Sequence, residues 1–310
     1  MRLDDYRLSD NVEDDRGNGG GFGGGGGFGG GGLFGLLFGL ILSRFGIGGV
    51  LLLLLGYCAL STFGGGSEST VGLSGQPGAV PSQQGARRGA GSACTVDAAS
   101  RFSCQVLAST EDTWGPLFAK MGQSYRPTRL VFYSRVDQSG CGAAQSAMGP
   151  FYCPTDAKVY LDTSFYRELS SRFQAGGDFA QAYVIGHEVG HHVQDLLGTL
   201  DKANRMQASG STAEGNRVQV RVELQADCFA GVWAAKARTK EGQPVLEAGD
   251  AEEGLRAAAA IGDDTLQQQA QGRVVPDSFT HGTSAQRVKW LRRGLESGDP
   301  AQCDTFSGAI

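Results

Sequence analysis

Residues 183–194 read YVIGHEVGHHVQ, and they hold three of the chain's four histidines. Asp178, with Gln181 three positions on, predicts a capping box just upstream, and Gly198 is a natural stop. Between them Phe179, Tyr183, Val184, Val189, Val193 and Leu197 give an apolar helical pattern. At about 100° per residue, His187 and His191 differ by only ~40° and point one way, one turn apart. Two imidazoles so placed can converge on one metal ion, with Glu188 beside them and free of ligand duty. His192 lies ~140° from His187 and cannot join the same tetrahedron, so it reads as a bystander.

A catalytic zinc takes three protein ligands and keeps one position for water. The metzincin completion needs a glycine at position 194 and a histidine at 197, where Gln194 and Leu197 stand. The other completion is a carboxylate on a following helix. Residues 217–233, RVQVRVELQADCFAGVW, predict such a helix and carry Glu223 and Asp227 four apart. Glu223 is the candidate third ligand, and Asp227 would accept the free N–H of a zinc histidine and fix its orientation. Leu224, Ala226, Cys228, Phe229, Ala230 and Trp233 surround the pair with apolar residues, where idle carboxylates would be costly.

The chain has 310 residues and a net charge of −5, which argues against a nucleic-acid partner. The basic run Lys289–Arg293 alternates with apolar residues and reads as a solvated helix face. Glycine, at 50 residues, is in excess. Much of that excess lies in residues 17–32, a tract broken only by Asn18, Phe22 and Phe28. Residues 1–32 are therefore expected to be a disordered acidic and Gly-rich head. Residues 33–63, with an uncharged core at 46–63, read as a single transmembrane anchor in the lipid bilayer. Arg44 precedes that core and no Lys or Arg follows until Arg87, so the N-terminus is expected in the cytoplasm. Residues 64–91 read as a flexible linker, and residues 92–310 as a folded domain on the extracytoplasmic, periplasmic side of the inner membrane. Within that domain residues 129–134 predict a strand, and Pro154–Ala157 a turn between two more.

Cys94, Cys104, Cys141, Cys153, Cys228 and Cys303 all follow the apolar stretch, and an even set there suggests disulfides. Local spacing favours Cys94–Cys104 and Cys141–Cys153, leaving Cys228 with Cys303. Six reduced thiols or a cysteine-rich metal site remain the alternatives, although no CxxC pair exists.

HExxH followed by ExxxD resembles the gluzincin group of zinc peptidases. The strings MGPFYCPTDAKVYLD (148–162), GHEVGHHVQ (186–194), VELQADCFAGVWA (222–234) and SFTHGTSAQRVKWLRRG (278–294) resemble a bacterial family of membrane-anchored neutral zinc metallopeptidases. The resemblance covers about residues 92–310. It implies an α+β, zincin-like domain, mostly helical with a small antiparallel or mixed sheet, preceded by one transmembrane helix. It also implies one Zn2+ per chain, a peptide or protein substrate, and Glu188 as general base. His281 would stabilise the oxyanion and Arg287 would brace the site. Lys158–Asp162 would be the edge strand that receives an extended substrate, with a buried strand as the alternative. The rival function is a zinc-binding scaffold without turnover, against which Glu188 speaks, since a structural site has no need of that carboxylate.

Overall fold

The structure, a computed structural model, describes residues 1–18 and 90–310. Residues Val12–Asp14 form β1; after them come the short helix α1 (Ala90–Ala93) and the long α2 (Ala98–Lys120), followed by β2 (Arg129–Phe132). β3 (Val136–Ser139) and β4 (Gly142–Gln145) make a separate antiparallel hairpin, and β5 (Phe151–Cys153) and β6 (Lys158–Leu161) follow. The remaining elements are helices: α3 (Phe165–Ser171), α4 (Asp178–Leu196), α5 (Thr199–Ala208), α6 (Thr212–Lys236), α7 (Asp250–Ala260), α8 (Asp263–Gln271) and α9 (Ser284–Ser297).

The main sheet has the order β1-β2-β6-β5. β1, β2 and β6 run parallel, and β5 is antiparallel to β6. Leu130–Phe132 and Val159–Leu161 are buried throughout, as expected of central parallel strands covered on both faces. α2 begins at Asp97, whose carboxylate accepts from the Ser100 N–H (2.7 Å), and its Trp114 meets Phe229 of α6 edge-on at 5.5 Å.

The expected α+β domain with a leading transmembrane helix is thus corrected to a mixed α/β fold with two small sheets. Among the described residues no helix is long and apolar enough to cross a membrane. The stretch 33–63 expected to do so lies outside the described residues, as do most of the Gly-rich tract and the linker. The single-pass, inner-membrane placement is corrected by the lack of a spanning helix among the described residues, which also leaves the bilayer contact without support. A second finding runs against opposite sides for head and domain: residues 1–18 belong to the same folded unit as the domain.

The acidic head is built into that unit instead of hanging free. Leu3 is buried, and Val12, Glu13 and Asp14 pair with Leu130, Val131 and Phe132. Arg7 binds Glu111 of α2 (2.7 Å), and Glu13 binds both Arg129 (2.9 Å) and Lys158 (2.8 Å). Glu13 thus finds its cations on the sheet, Asp14 finds Arg16 within the head, and Leu3 and Val12 join the core.

α4 and α6 carry the site. The expected capping box is absent: Gly177, at φ 128°, is the N-cap and makes no side-chain bond. Asp178 instead pairs with the α-ammonium of Met1, and the Phe179 N–H donates to Glu253 of α7 (3.2 Å). α6 does have a capping box, Ser211 with Glu214. The two helices press together at Gly186, under the Trp233 ring, and at Gly190, against the Ala226 backbone. On the far face of α6, Gly231 and Gly294 let α9 approach as closely. Disulfides join Cys94 to Cys104, Cys141 to Cys153, and Cys228 of α6 to Cys303 in the C-terminal tail.

Candidate active site

His187 and His191 stand on one face of α4 with their rings 4.7 Å apart, and Glu223 faces them from α6. The Glu223 Oε2 lies 3.2 Å from His187 Nε2 and 3.6 Å from His191 Nε2. One ligand atom from each of the three falls within 4.8 Å of the others. All three side chains are largely buried yet line a cavity of about 890 Å3.

Each of these side chains is held from behind. His187 Nδ1 lies 2.8 Å from Asp227 Oδ1, an acceptor, so Nδ1 carries a hydrogen and Nε2 is the nitrogen turned to Glu223. His191 Nδ1 lies 2.9 Å from Gln194 Oε1. The Gln194 amide cannot be turned over, because its Nε2 donates to the Val222 carbonyl (2.7 Å) and to Gln225 Oε1 (3.0 Å). Glu223 Oε1 accepts from Gln219 (2.9 Å), which leaves Oε2 for the centre.

Asp227 is fully buried and needs compensation. Arg287 of α9 supplies it through Nε to Oδ2 and Nη2 to Oδ1, both 2.9 Å, and Nη2 also donates to the Tyr183 hydroxyl (3.0 Å). Tyr183 in turn donates to Asp227 Oδ1 (2.5 Å). Arg287 therefore braces Asp227, the partner of His187, and has no hydrogen bond to the nitrogens and oxygen that converge between His187, His191 and Glu223.

The electrostatics favour a bound cation. Burial pulls His187 down, but the hydrogen bond and charge of Asp227, then the hydrogen bond of Glu223, outweigh it and raise its pKa to about 10. Burial opposes ionisation of Glu223 too, yet the charge of His191 and hydrogen bonds from both histidines hold it well below its usual value. Asp227, against the same penalty of burial, is held by Arg287 and His187 at about 2. Once the rings give up those protons, two imidazole nitrogens and one carboxylate oxygen converging on one point fit a zinc ion.

Glu188 is also buried at the cavity wall, and burial pushes its pKa up. His281 lies on the loop before α9, half exposed at the cavity rim, with its Nδ1 3.2 Å from Asp263 Oδ1. That hydrogen bond raises its pKa, against burial. His192 points elsewhere: Nε2 lies 2.6 Å from the Arg126 carbonyl, and Nδ1 lies 3.1 Å from the Tyr152 hydroxyl. The edge-strand expectation is corrected. Lys158–Leu161 pairs on both sides, with β2 and β5, because the head and the Arg129 strand fill the far side of the sheet. The edge beside the cavity is β5, whose Phe151 and Tyr152 line it.

Sequence reasoning missed Tyr183, Gln194, Gln219 and Tyr152. Three of them had a readable signal. Tyr183 precedes His187 by one turn, Gln219 precedes Glu223 by one turn, and Gln194 follows His191 by three, so each faces the residue it supports. Tyr152 comes from another element and had none.

Two helices presenting two histidines and a glutamate around one cation-seeking point define a candidate metal centre. The chain belongs to the family described as "Putative neutral zinc metallopeptidase", whose model matches residues 1–306. It is 50% identical over 312 residues to "Uncharacterized protein YpfJ" of Escherichia coli K12, a match covering all of both chains. It is 48% identical over 223 residues to "Uncharacterized protein Rv2575" of Mycobacterium tuberculosis H37Rv, covering 68% of this chain and 73% of that one. No solved structure matches.

Proposed function

We propose that the protein is a zinc-dependent endopeptidase, with His187, His191 and Glu223 as ligands and Glu188 as the general base. The observation that carries this reading is the convergence of the three ligand atoms within 4.8 Å at the wall of an open cavity that Glu188 also lines. A bound zinc supplies Lewis acidity for the scissile carbonyl and acidity for a water. Glu188 takes the proton of the attacking water and passes it to the leaving amine, a role suited to a carboxylate whose proton affinity burial has raised. His281 donates a hydrogen bond as negative charge develops on the carbonyl oxygen. The outer edge of β5 receives the substrate as an added strand, and Phe165, Val184, Ile261 and Leu266 give the cavity an apolar wall.

The test is metal analysis of the purified protein beside digestion of a peptide library, with and without chelator. Glu188→Gln should keep zinc and lower turnover by about 10²–10⁴-fold. Equal turnover in the variant would remove Glu188 from the mechanism, and zinc without any cleavage by the natural chain would favour the scaffold reading.

A further inference from the structure

The histidine left over from zinc binding sits at the centre of a second polar cluster. His192 is 2% exposed, and Tyr152, on the edge strand, is 8% exposed. The Tyr152 hydroxyl lies 2.7 Å from Asp195 Oδ2 and 3.1 Å from His192 Nδ1. The Arg126 carbonyl can only accept, so the ring hydrogen of neutral His192 sits on Nε2 and Nδ1 is an acceptor. The single hydroxyl hydrogen of Tyr152 is therefore offered to two acceptors on one element. His192 and Asp195 are three residues apart on α4 and form one strip of that helix. The Tyr152 ring packs on His192 at 5.5 Å, and Tyr125 closes the other side at 5.8 Å.

α4 thus has two working faces. One presents His187 and His191 to Glu223, and the other holds the edge strand through a side chain. Tyr152 is the middle residue of β5, between Phe151, stacked on Tyr160 at 5.0 Å, and Cys153, bonded to Cys141. Neither neighbour contacts α4 through those bonds; beside the Tyr152 N–H, which donates to the Glu188 carboxylate, the hydroxyl is the side-chain tie between this strand and that helix.

We propose that Tyr152, held by His192 and Asp195, is a positioning residue that sets the edge strand against the catalytic helix and so aligns an extended substrate with the zinc centre. This rests on the peptidase reading. A peptide long enough to pair along β5 has its register fixed by that strand, whereas one too short to pair does not. The cluster should therefore matter far more for long substrates than for short ones, and should leave metal binding alone.

The experiment compares Tyr152→Phe, which removes only the hydroxyl, with Asp195→Asn, which keeps an acceptor oxygen in place. In the natural protein kcat/KM should climb from a blocked dipeptide to a hexapeptide. In Tyr152→Phe the KM for the hexapeptide should rise about ten-fold, the yield of one lost hydrogen bond, with kcat little changed. Dipeptide turnover should fall far less than hexapeptide turnover, zinc content should stay as it was, and Asp195→Asn should retain most of the climb. Amide hydrogen exchange at residues 151–153 should quicken in Tyr152→Phe, a readout that needs no turnover. Unchanged exchange there overturns the assignment, as does equal loss on short and long peptides, which a merely structural role would give. If the natural protein cleaves nothing, the exchange comparison still decides the tie, and only the peptidase reading falls.

Discussion

Gly190 and Ala226 meet backbone to backbone, so that a Cβ on Gly190 would stand 2.8 Å from the Ala226 carbonyl oxygen. The residue after Gly190 is the candidate ligand His191, and Ala226 lies between the candidate ligand Glu223 and Asp227, the partner of His187. The closeness of the two helices is therefore what gives the metal centre its size. Gly190→Ala should push them apart, costing about 1–3 kcal/mol by overpacking. A lowered urea midpoint together with weaker zinc binding checks this; an unchanged midpoint would mean that the helices part without strain.

Asp227→Asn keeps the shape of the side chain and removes its charge. Arg287 is then left buried without its carboxylate, at a cost of about 3–5 kcal/mol. His187 keeps at most a neutral amide oxygen in place of the charged acceptor that holds it, so zinc affinity should fall about 10–100-fold in a chelator competition. Loss of stability with zinc affinity intact would show that Asp227 serves the fold alone.

Gln194 links His191 to the chain's far end. Its amide bonds Gln225, whose Nε2 donates to the Cys303 carbonyl (2.9 Å), and Cys303 is tied to Cys228. Gln194→Leu should weaken zinc binding about ten-fold or more by releasing His191. Replacing Cys303 with Ser should cost about 2–5 kcal/mol, read as a fall in melting temperature. A milder loss of zinc affinity should accompany it, since Gln225 loses a fixed partner.

His281 and Asp263 give stability a pH dependence of known sign. Asp263 raises the folded pKa of His281, so the contact contributes fully below the unfolded value of 6.5 and is lost as pH rises through the higher folded value. Asp263 itself is held below 3.8: burial opposes this, but hydrogen bonds from His281 outweigh it. Its share is thus present above 3.8 and lost as pH falls through the lower folded value. The melting-temperature gap between the natural protein and His281→Asn should be widest between these limits and close in mild alkali. A gap that widens with rising pH would contradict the pairing.

The convergence of His187, His191 and Glu223 was legible because its geometry is local. HExxH and ExxxD are statements about one helical turn, and the 3.6-residue period converts them directly into shared faces. The disulfides were legible for a similar reason at two pairs, and by remainder at the third. β1 was not, since Val12–Asp14 is short and polar and its partner lies more than a hundred residues away. The helix signal at Asp178 misled because a better partner, the α-ammonium of Met1, reaches it through space. His192 looked idle for the same reason: its meaning depends on Tyr152, which arrives from the sheet.

The way residues 1–18 join the domain has a consequence for chain connectivity. Arg16 donates to the Ala93 carbonyl (3.1 Å) and to Ser100 (2.7 Å), so the chain departs from the fold and rejoins it at one spot. Residues 19–89 are in this sense a parenthesis in the sequence, opened and closed at neighbouring points of a single body. A bridge about ten-fold shorter should hold the same fold and lower the closure entropy by about 2 kcal/mol. The opposite surgery should also work: a synthetic peptide of residues 1–18, mixed with a separate chain of residues 90–310, should restore the sheet in trans.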